Sequence, residues 1–297
     1  MQRITFVVIL AIVAVGGLVV WYSRGRTVKS MGENRTTTSR DGTNIAFTKR
    51  GSGPPLIIVD GAFCYRENGP STELASRLAQ HFTVFTYDRR GRGESGDTAP
   101  YTVEREVDDL RAVAIEAGAT PFVLGISSGA ALTLQAVASG VAVNKIALYE
   151  PPYVADGDGP RSLEDARNRL QSFVSAGDRA GAVRFFMTDV YGAPRPFVLA
   201  MPLLMPNAWK RNKLVVHTAA YDLTILSDRS VLHERSSSIS VPAFVIGGEK
   251  SPKILRDAVA AVANALPNGK SRFLSGQDHN VSGEALAPVL FEYFGTS

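Results

Sequence analysis

Cysteine is nearly absent from this 297-residue chain. Cys64 is the single one, so no intramolecular disulfide can form, and cysteine pairing says nothing about redox compartment. It follows a predicted strand and is expected to be a small buried hydrophobe. Net charge is also scarce. The formal +4 comes from residues 1–30, which hold Arg3, Arg24, Arg26 and Lys29 and no acid, leaving 28 basic and 28 acidic residues over 31–297. A nucleic-acid partner would need a basic face on the folded part, so none is expected. The folded part has no internal repeat and no low-complexity run. It also lacks a cluster of metal-ligating residues and a phosphate-cradling glycine loop, so neither a metal nor an organic cofactor is implied. Histidine is limited to His81, His217, His233 and His279, a short list of candidate imidazole bases.

What is present fits a globular protein with ample length for a core: 45% of residues are apolar and 20% charged. No charge interrupts residues 4–22, which as a helix would span about 28 Å, close to the bilayer core. Trp21 and Tyr22 fall where an interfacial aromatic belt would lie. Residues 1–30 are therefore expected to be a single-pass membrane anchor with a basic flank, its side uncertain. A cleaved signal peptide and a start at Met31 are the rival readings.

Beyond the basic stretch, strands and helices alternate. Asp41-Gly42 is a hairpin turn signal between Thr36–Arg40 and Thr43–Arg50. Leu56–Val59 is a short apolar run suited to a strand buried on both faces. A helix is predicted over Ser71–His81, a strand over Phe82–Tyr87, an amphipathic helix over Glu104–Ala117 and a strand over Phe122–Ile126. Ser128–Ser139 then reads as a helix and Val143–Tyr149 as a strand. The alternation resumes with a strand over Val241–Gly247, a helix over Lys253–Leu266, a strand over Arg272–Leu274 and a helix over Gly283–Phe294. This pattern predicts an α/β fold: a mostly parallel sheet with helices on both faces.

The roughly 90 residues between Tyr153 and Ser240 are too many for a plain loop. Arg161–Ser175 and Arg179–Tyr191 have helical patterns. Pro194, Pro196, Pro202 and Pro206 are expected to break the next stretch, with a mixed helical pattern resuming over Asn207–Leu226. The expected organisation is a core over 31–152 and 241–297 with a helical lid insertion over 153–240. The insertion is rich in large apolar side chains, including Phe185, Phe186, Met187, Tyr191, Phe197, Met201, Leu203, Leu204, Met205 and Trp209. They line an apolar pocket or pack the insertion against the core.

Gly125-Ile126-Ser127-Ser128-Gly129 matches Gly-x-Ser-x-Gly and sits between an apolar strand and a helical run. A nucleophilic serine needs a strained turn that lifts its hydroxyl above the sheet. Flanking glycines let neighbouring backbone approach closely, and the helix that begins there points its amide dipoles at the site. Ser127 is thus the candidate nucleophile; the plain alternative is a turn with Ser127 or Ser128 as an N-cap. A serine hydroxyl is weak without an adjacent base. His279, after the last predicted strand, lies where open α/β sheets place functional residues.

With these motifs the chain resembles the α/β-hydrolase superfamily over residues 36–297. Asp88-Arg89-Arg90-Gly91-Arg92-Gly93-Glu94-Ser95 resembles the loop after that family's strand before its first long helix. Asp60-Gly61 resembles its usual His-Gly pair, with Asp60 in place of the histidine. The resemblance implies an oxyanion hole made by the backbone amides of Ser128 and of Ala62, with Phe63 beside it. It also implies an acid after the strand matching Ala243–Gly247. There this chain departs, because Ser251 stands where the acid is expected. Glu249 could serve, the acid could be absent, or Glu150 at the end of the preceding strand could supply it; Glu150 is preferred.

The expected function is a serine hydrolase acting on an ester or related acyl bond of a small, largely apolar substrate, with Ser127, His279 and Glu150 catalytic. Two other readings stay open. One is a different reaction on the same fold: carbon–carbon bond hydrolysis, a lyase reaction or cofactor-free peroxidation. The other is a non-catalytic binding protein.

Overall fold

The computed structural model describes residues 32–118, 120–153 and 160–295. Eight strands form one sheet in the order β1-β2-β4-β3-β5-β6-β7-β8. They are β1 Glu33–Thr38, β2 Asn44–Arg50, β3 Pro55–Val59, β4 Thr83–Tyr87, β5 Phe122–Ile126, β6 Ile146–Tyr149, β7 Ala243–Gly248 and β8 Gly269–Leu274. β1 and β2 form the expected hairpin, and β2 pairs antiparallel with β4; every other pair is parallel. At the hairpin turn Gly42 has φ of 84°, and the Asp41 carboxylate accepts from the Thr43 amide at 3.0 Å. That is the turn chemistry for which Asp-Gly is suited.

The central strands are short because they are buried on both faces. Leu56, Ile57, Ile58 and Val59 of β3 are all buried, as are all four residues of β6. Each such side chain contributes about 1.5–3 kcal/mol by leaving water. Helices cover both sides. α1 (Ser71–Leu78) and α10 (Gly283–Gly295) pack on one face, where Leu74, Leu78, Leu286 and Leu290 share a core with Ile58 and Leu124. α2 (Val103–Ala117), α3 (Ser128–Ala138) and α9 (Lys253–Ala265) pack on the other, where Val113, Leu134 and Val259 meet Ile57, Val123 and Val245.

The chain enters the sheet centre at β3, steps outward to β4, then crosses back to β5 on the other side of β3. That reversal opens a crevice at the carboxyl ends of β3 and β5, the usual ligand site of such sheets. Register sharpens the placement. Val59 pairs with Gly125 and Ile126 with Tyr149, so the residues just after β3, β5 and β6 emerge side by side.

Between β6 and β7 the described chain is helical: α4 (Pro160–Ser175), α5 (Arg179–Phe185) with a π-helical turn over Phe186–Val190, α6 (Arg195–Leu204), α7 (Pro206–Val215) and α8 (Ala219–Ser227). The prolines expected to break this stretch do so at two places: Pro194 lies in the non-helical gap before α6, and the helix breaks at Met205 just before Pro206. Pro196 and Pro206 sit at helix starts, where no amide donor is needed. Pro202 is accommodated inside α6 near its end. Most of the large apolar side chains of the insertion pack on one another. Phe185, Phe186, Met187, Met201 and Trp209 share a core with Leu170, Val198 and Leu223, whereas Leu203 and Leu204 point outward, 85% and 67% exposed. Phe63, from the loop after β3, belongs to the same core and meets Phe186 edge-on at 5.0 Å.

The membrane-anchored location expected from residues 4–22 is corrected. Among the described residues no helix is long and apolar enough to cross a membrane, and residues 4–22 themselves lie outside the described residues.

Candidate active site

Among the described residues, three other than glycine have positive φ: Phe63 at 61°, Ser127 at 54° and Glu150 at 45°. Each follows a different central strand. Side chains avoid this backbone region at a cost of about 1–3 kcal/mol, and such strain collects where function over-determines the geometry. At Ser127 the tight turn is held by two hydrogen bonds: its amide donates to Tyr149 O at 2.8 Å, and its carbonyl accepts from Ala130 N at 2.9 Å.

The flanking glycines are needed for space. A Cβ on Gly125 would come within 2.5 Å of Ala130 Cα, and one on Gly129 would run into the Val59 carbonyl. Gly61 brings the loop after β3 against the turn: a Cβ there would lie 3.0 Å from Ser127 Cβ and 3.6 Å from Ser127 Oγ. The half-buried Ala62 and buried Phe63 come directly after it. Ser128 opens α3, so its amide, like the other first-turn amides, has no acceptor one turn earlier within the helix. The amides of Ala62 and Ser128 thus belong to segments that meet at Ser127.

His279 and Glu150 come together. Glu150 Oε2 lies 2.7 Å from His279 Nδ1, with Glu150 fully buried and His279 17% exposed. The other carboxylate oxygen, Oε1, accepts from the Gly248 amide at 2.7 Å and from Ser251 Oγ at 2.5 Å. Burial pushes the Glu150 carboxyl up, but the His279 hydrogen bond and charge, the Gly248 amide and Ser251 outweigh it and hold it below the ordinary range. The loop carrying His279 is fixed by Tyr149, whose hydroxyl donates to Asp278 O at 2.5 Å. From the helical insertion, the Tyr191 ring approaches His279 at 6.1 Å between centroids. Among the described residues His279 makes its hydrogen bond to Glu150 and none to Ser127. Such contacts are often long before substrate binds.

Glu249 is exposed, its amide tied to Leu274 O at 3.1 Å. Two of the other histidines are engaged elsewhere. His81 packs edge-on against Phe291 at 4.6 Å and His217 Nε2 lies 3.3 Å from Asp97 Oδ2. Cys64 is buried, and burial pushes its thiol well above the ordinary value, which leaves it protonated and unreactive.

Two features are not legible in the sequence. Ser251, which stands where the family's acid is expected, holds the carboxylate instead of supplying it. Asp222 of α8 reaches Ser128 Oγ at 2.7 Å and pairs with Arg89 and Arg92, all buried. The only hint is a carboxylate inside an otherwise apolar helical run, Ala219-Ala220-Tyr221-Asp222-Leu223. Asp60 turns away from the turn at Ser127. Its Oδ2 accepts from Ser71 Oγ at 2.5 Å, and burial pushes its carboxyl up to about 7.

Known proteins resemble the chain in sequence and in fold. A model of the alpha/beta hydrolase family matches residues 51–289. A solved structure, an alpha/beta hydrolase from Sphaerobacter thermophilus, is 43% identical with a TM-score of 0.80, covering 88% of this chain and 100% of that one. The uncharacterized hydrolase YraK of Bacillus subtilis is 35% identical over 108 residues, 34% of this chain and 38% of that protein. The pimeloyl-acyl-carrier-protein methyl ester esterase of Stenotrophomonas maltophilia is 26% identical over 239 residues, 77% of this chain and 87% of that protein.

Proposed function

The chain belongs to the alpha/beta hydrolase family, and on that premise we propose that it is a serine hydrolase cleaving an ester or related acyl bond through an acyl-enzyme. The observation that carries the reading is the Glu150–His279 pair, 2.7 Å apart, at the same end of the sheet as the strained turn at Ser127. Ser127 Oγ attacks the carbonyl carbon while His279 Nε2 takes its proton. Glu150 accepts the hydrogen bond from His279 Nδ1, which fixes the tautomer and stabilises the imidazolium. The amides of Ala62 and Ser128 bind the developing oxyanion. His279 then gives its proton to the leaving alcohol, and a water activated by the same imidazole releases the acyl group.

The helical insertion over 153–240 acts as a lid on a core formed by 31–152 and 241–297. Tyr191 from the insertion, beside His279, supports a small, largely apolar substrate. The Stenotrophomonas relative is named for a methyl ester, which supports the ester class.

Labelling with a fluorophosphonate probe tests the reading. Wild-type protein is expected to label at a single serine and to hydrolyse short p-nitrophenyl esters, and Ser127→Ala to do neither. Unlabelled wild type, or a Ser127→Ala variant that labels equally, overturns it.

A further inference from the structure

Directly behind the two amides assigned to the oxyanion lies a buried cluster of ion pairs. Asp222 is at its centre. Its Oδ1 accepts from Ser128 Oγ and from Arg89 Nη1, each at 2.7 Å, and its Oδ2 accepts from Arg92 Nη2 at 2.7 Å. Arg92 Nη1 continues to the Gly61 carbonyl at 2.6 Å, and its Nε donates to Thr218 Oγ1 at 3.0 Å. Arg89 Nη1 also reaches the Asp60 carbonyl at 3.2 Å, and its Nε pairs with Glu106 at 2.6 Å. Asp222, Arg89, Arg92 and Glu106 are each at most 1% exposed. Two guanidinium groups and two carboxylates balance one another. Burial pushes the Asp222 carboxyl up, but Arg92 and Arg89 outweigh it and keep it ionised.

The connectivity is specific. The Gly61 carbonyl and the Ala62 N–H belong to one rigid peptide plane. A charged donor on that carbonyl fixes the plane and polarises the amide, so the N–H on its other side becomes a stronger donor. Ser128 supplies the other amide, and its side chain is tied to the same carboxylate. One residue therefore reaches both arms: Ser128 directly, and the Gly61–Ala62 peptide through Arg92. Stability alone does not account for such a cluster, because apolar packing in place of a buried ion pair is often neutral or stabilising. Asp222 comes from α8, in the insertion between β6 and β7.

We propose that Asp222 is the positioning residue of the oxyanion hole, so that the insertion sets the geometry of the two amide donors as well as covering the site. This rests on the proposed serine-hydrolase reading. Asp222 acts through Arg92 and Ser128 and touches no reacting atom. Removing one oxyanion donor outright costs about 10²–10³ in kcat, so loosening both is expected to cost about tenfold or more.

The test is Asp222→Asn in the full chain, with p-nitrophenyl ester as substrate. Active serines are counted by fluorophosphonate labelling run to completion, and affinity is measured for a trifluoromethyl ketone, whose serine adduct places an oxyanion between the amides. The expected result is a kcat per titrated serine lowered about tenfold or more, KM within about threefold, and ketone affinity falling by the same factor as kcat/KM. A merely structural role gives fewer titratable serines, each with wild-type kcat and ketone affinity, and that result overturns the proposal. Ser128→Ala cuts the direct arm alone, leaving Arg92 paired with Asp222 and with the Gly61 carbonyl, and with less disturbance. It is expected to lower kcat per serine severalfold with a parallel loss of ketone affinity, and it decides the matter if Asp222→Asn does not fold; wild-type values for it overturn the proposal. A wild-type enzyme that neither labels nor turns over overturns the hydrolase reading, and this inference with it.

Discussion

Ser251 Oγ lies 2.5 Å from Glu150 Oε1, at the place in the loop after β7 where the family resemblance implies a carboxylate. The hydroxyl and the Gly248 amide occupy one carboxylate oxygen and leave the other for His279. The side chain at this position thus donates to a carboxylate from the end of β6 where the resemblance implies a carboxylate of its own.

Glu150→Gln is therefore expected to lower kcat about 10³–10⁴-fold, the scale set by loss of the orienting carboxylate in a serine triad. Glu249→Gln is expected to stay within about twofold of wild type. Ester hydrolysis by the two variants side by side checks this; a large loss in Glu249→Gln instead would transfer the role. Adding Ser251→Asp to Glu150→Gln restores a carboxylate in the same pocket and is expected to recover at least tenfold of the loss.

Ser251→Ala removes one donor from a carboxyl that is held below its ordinary value of 4.5. A lowered carboxyl adds stability that is present above the unfolded value and is lost as pH falls through the folded one. In the variant that loss still begins at the unfolded value but is expected to be smaller and to be complete at a higher pH. Thermal unfolding between pH 6 and pH 3 reads the shift; coincident acid limbs for the two proteins contradict it.

Asp60 carries the opposite sign. Burial raises its carboxyl from 3.8 to about 7, against the pull of Ser71 and Arg92. Between these values the folded chain holds a proton that the unfolded chain has released, so this group's contribution to stability falls as pH rises through that window and is level above it. Asp60→Asn is expected to remove a slope worth of the order of a few kcal/mol. Urea unfolding at pH 4.5 and pH 7.5 measures it, and an unchanged difference between the two pH values counts against the assignment.

Ser127 at φ 54° and ψ −123° gives a stability prediction separate from catalysis. Glycine takes this backbone without steric penalty, whereas alanine keeps the penalty. Both substitutions are expected to abolish activity. Ser127→Gly is expected to be more stable than Ser127→Ala by about 1 kcal/mol after glycine's extra unfolded-state entropy, and so to unfold at higher denaturant. The reverse order would mean that the turn is unstrained.

The sequence by itself determined the features set by neighbours along the chain. Short apolar runs marked β3 and β5, because a strand buried on both faces has no polar side to show. Gly125, Ser127 and Gly129 marked the turn, because its sterics exclude a Cβ at both glycines. The position of His279 after the last strand came from the same alternation. Other features depended on what the chain meets after it folds. Pro196 and Pro202 read as breaks because the pattern does not show that a helix begins at the first and tolerates the second near its end. Nothing local marks Arg89 and Arg92 as buried, because a buried cation is tolerable only beside its partner, and Arg89 and Asp222 are 133 positions apart. Glu150 and Glu249 are alternatives in the sequence. Folding sets the first beside His279 and leaves the second exposed, because parallel register aligns the ends of β5 and β6 and the loop after β7 closes over them. The strained turn at Ser127 is thus written locally, while the partners that surround it are decided by the packing of distant segments, which local periodicity does not encode.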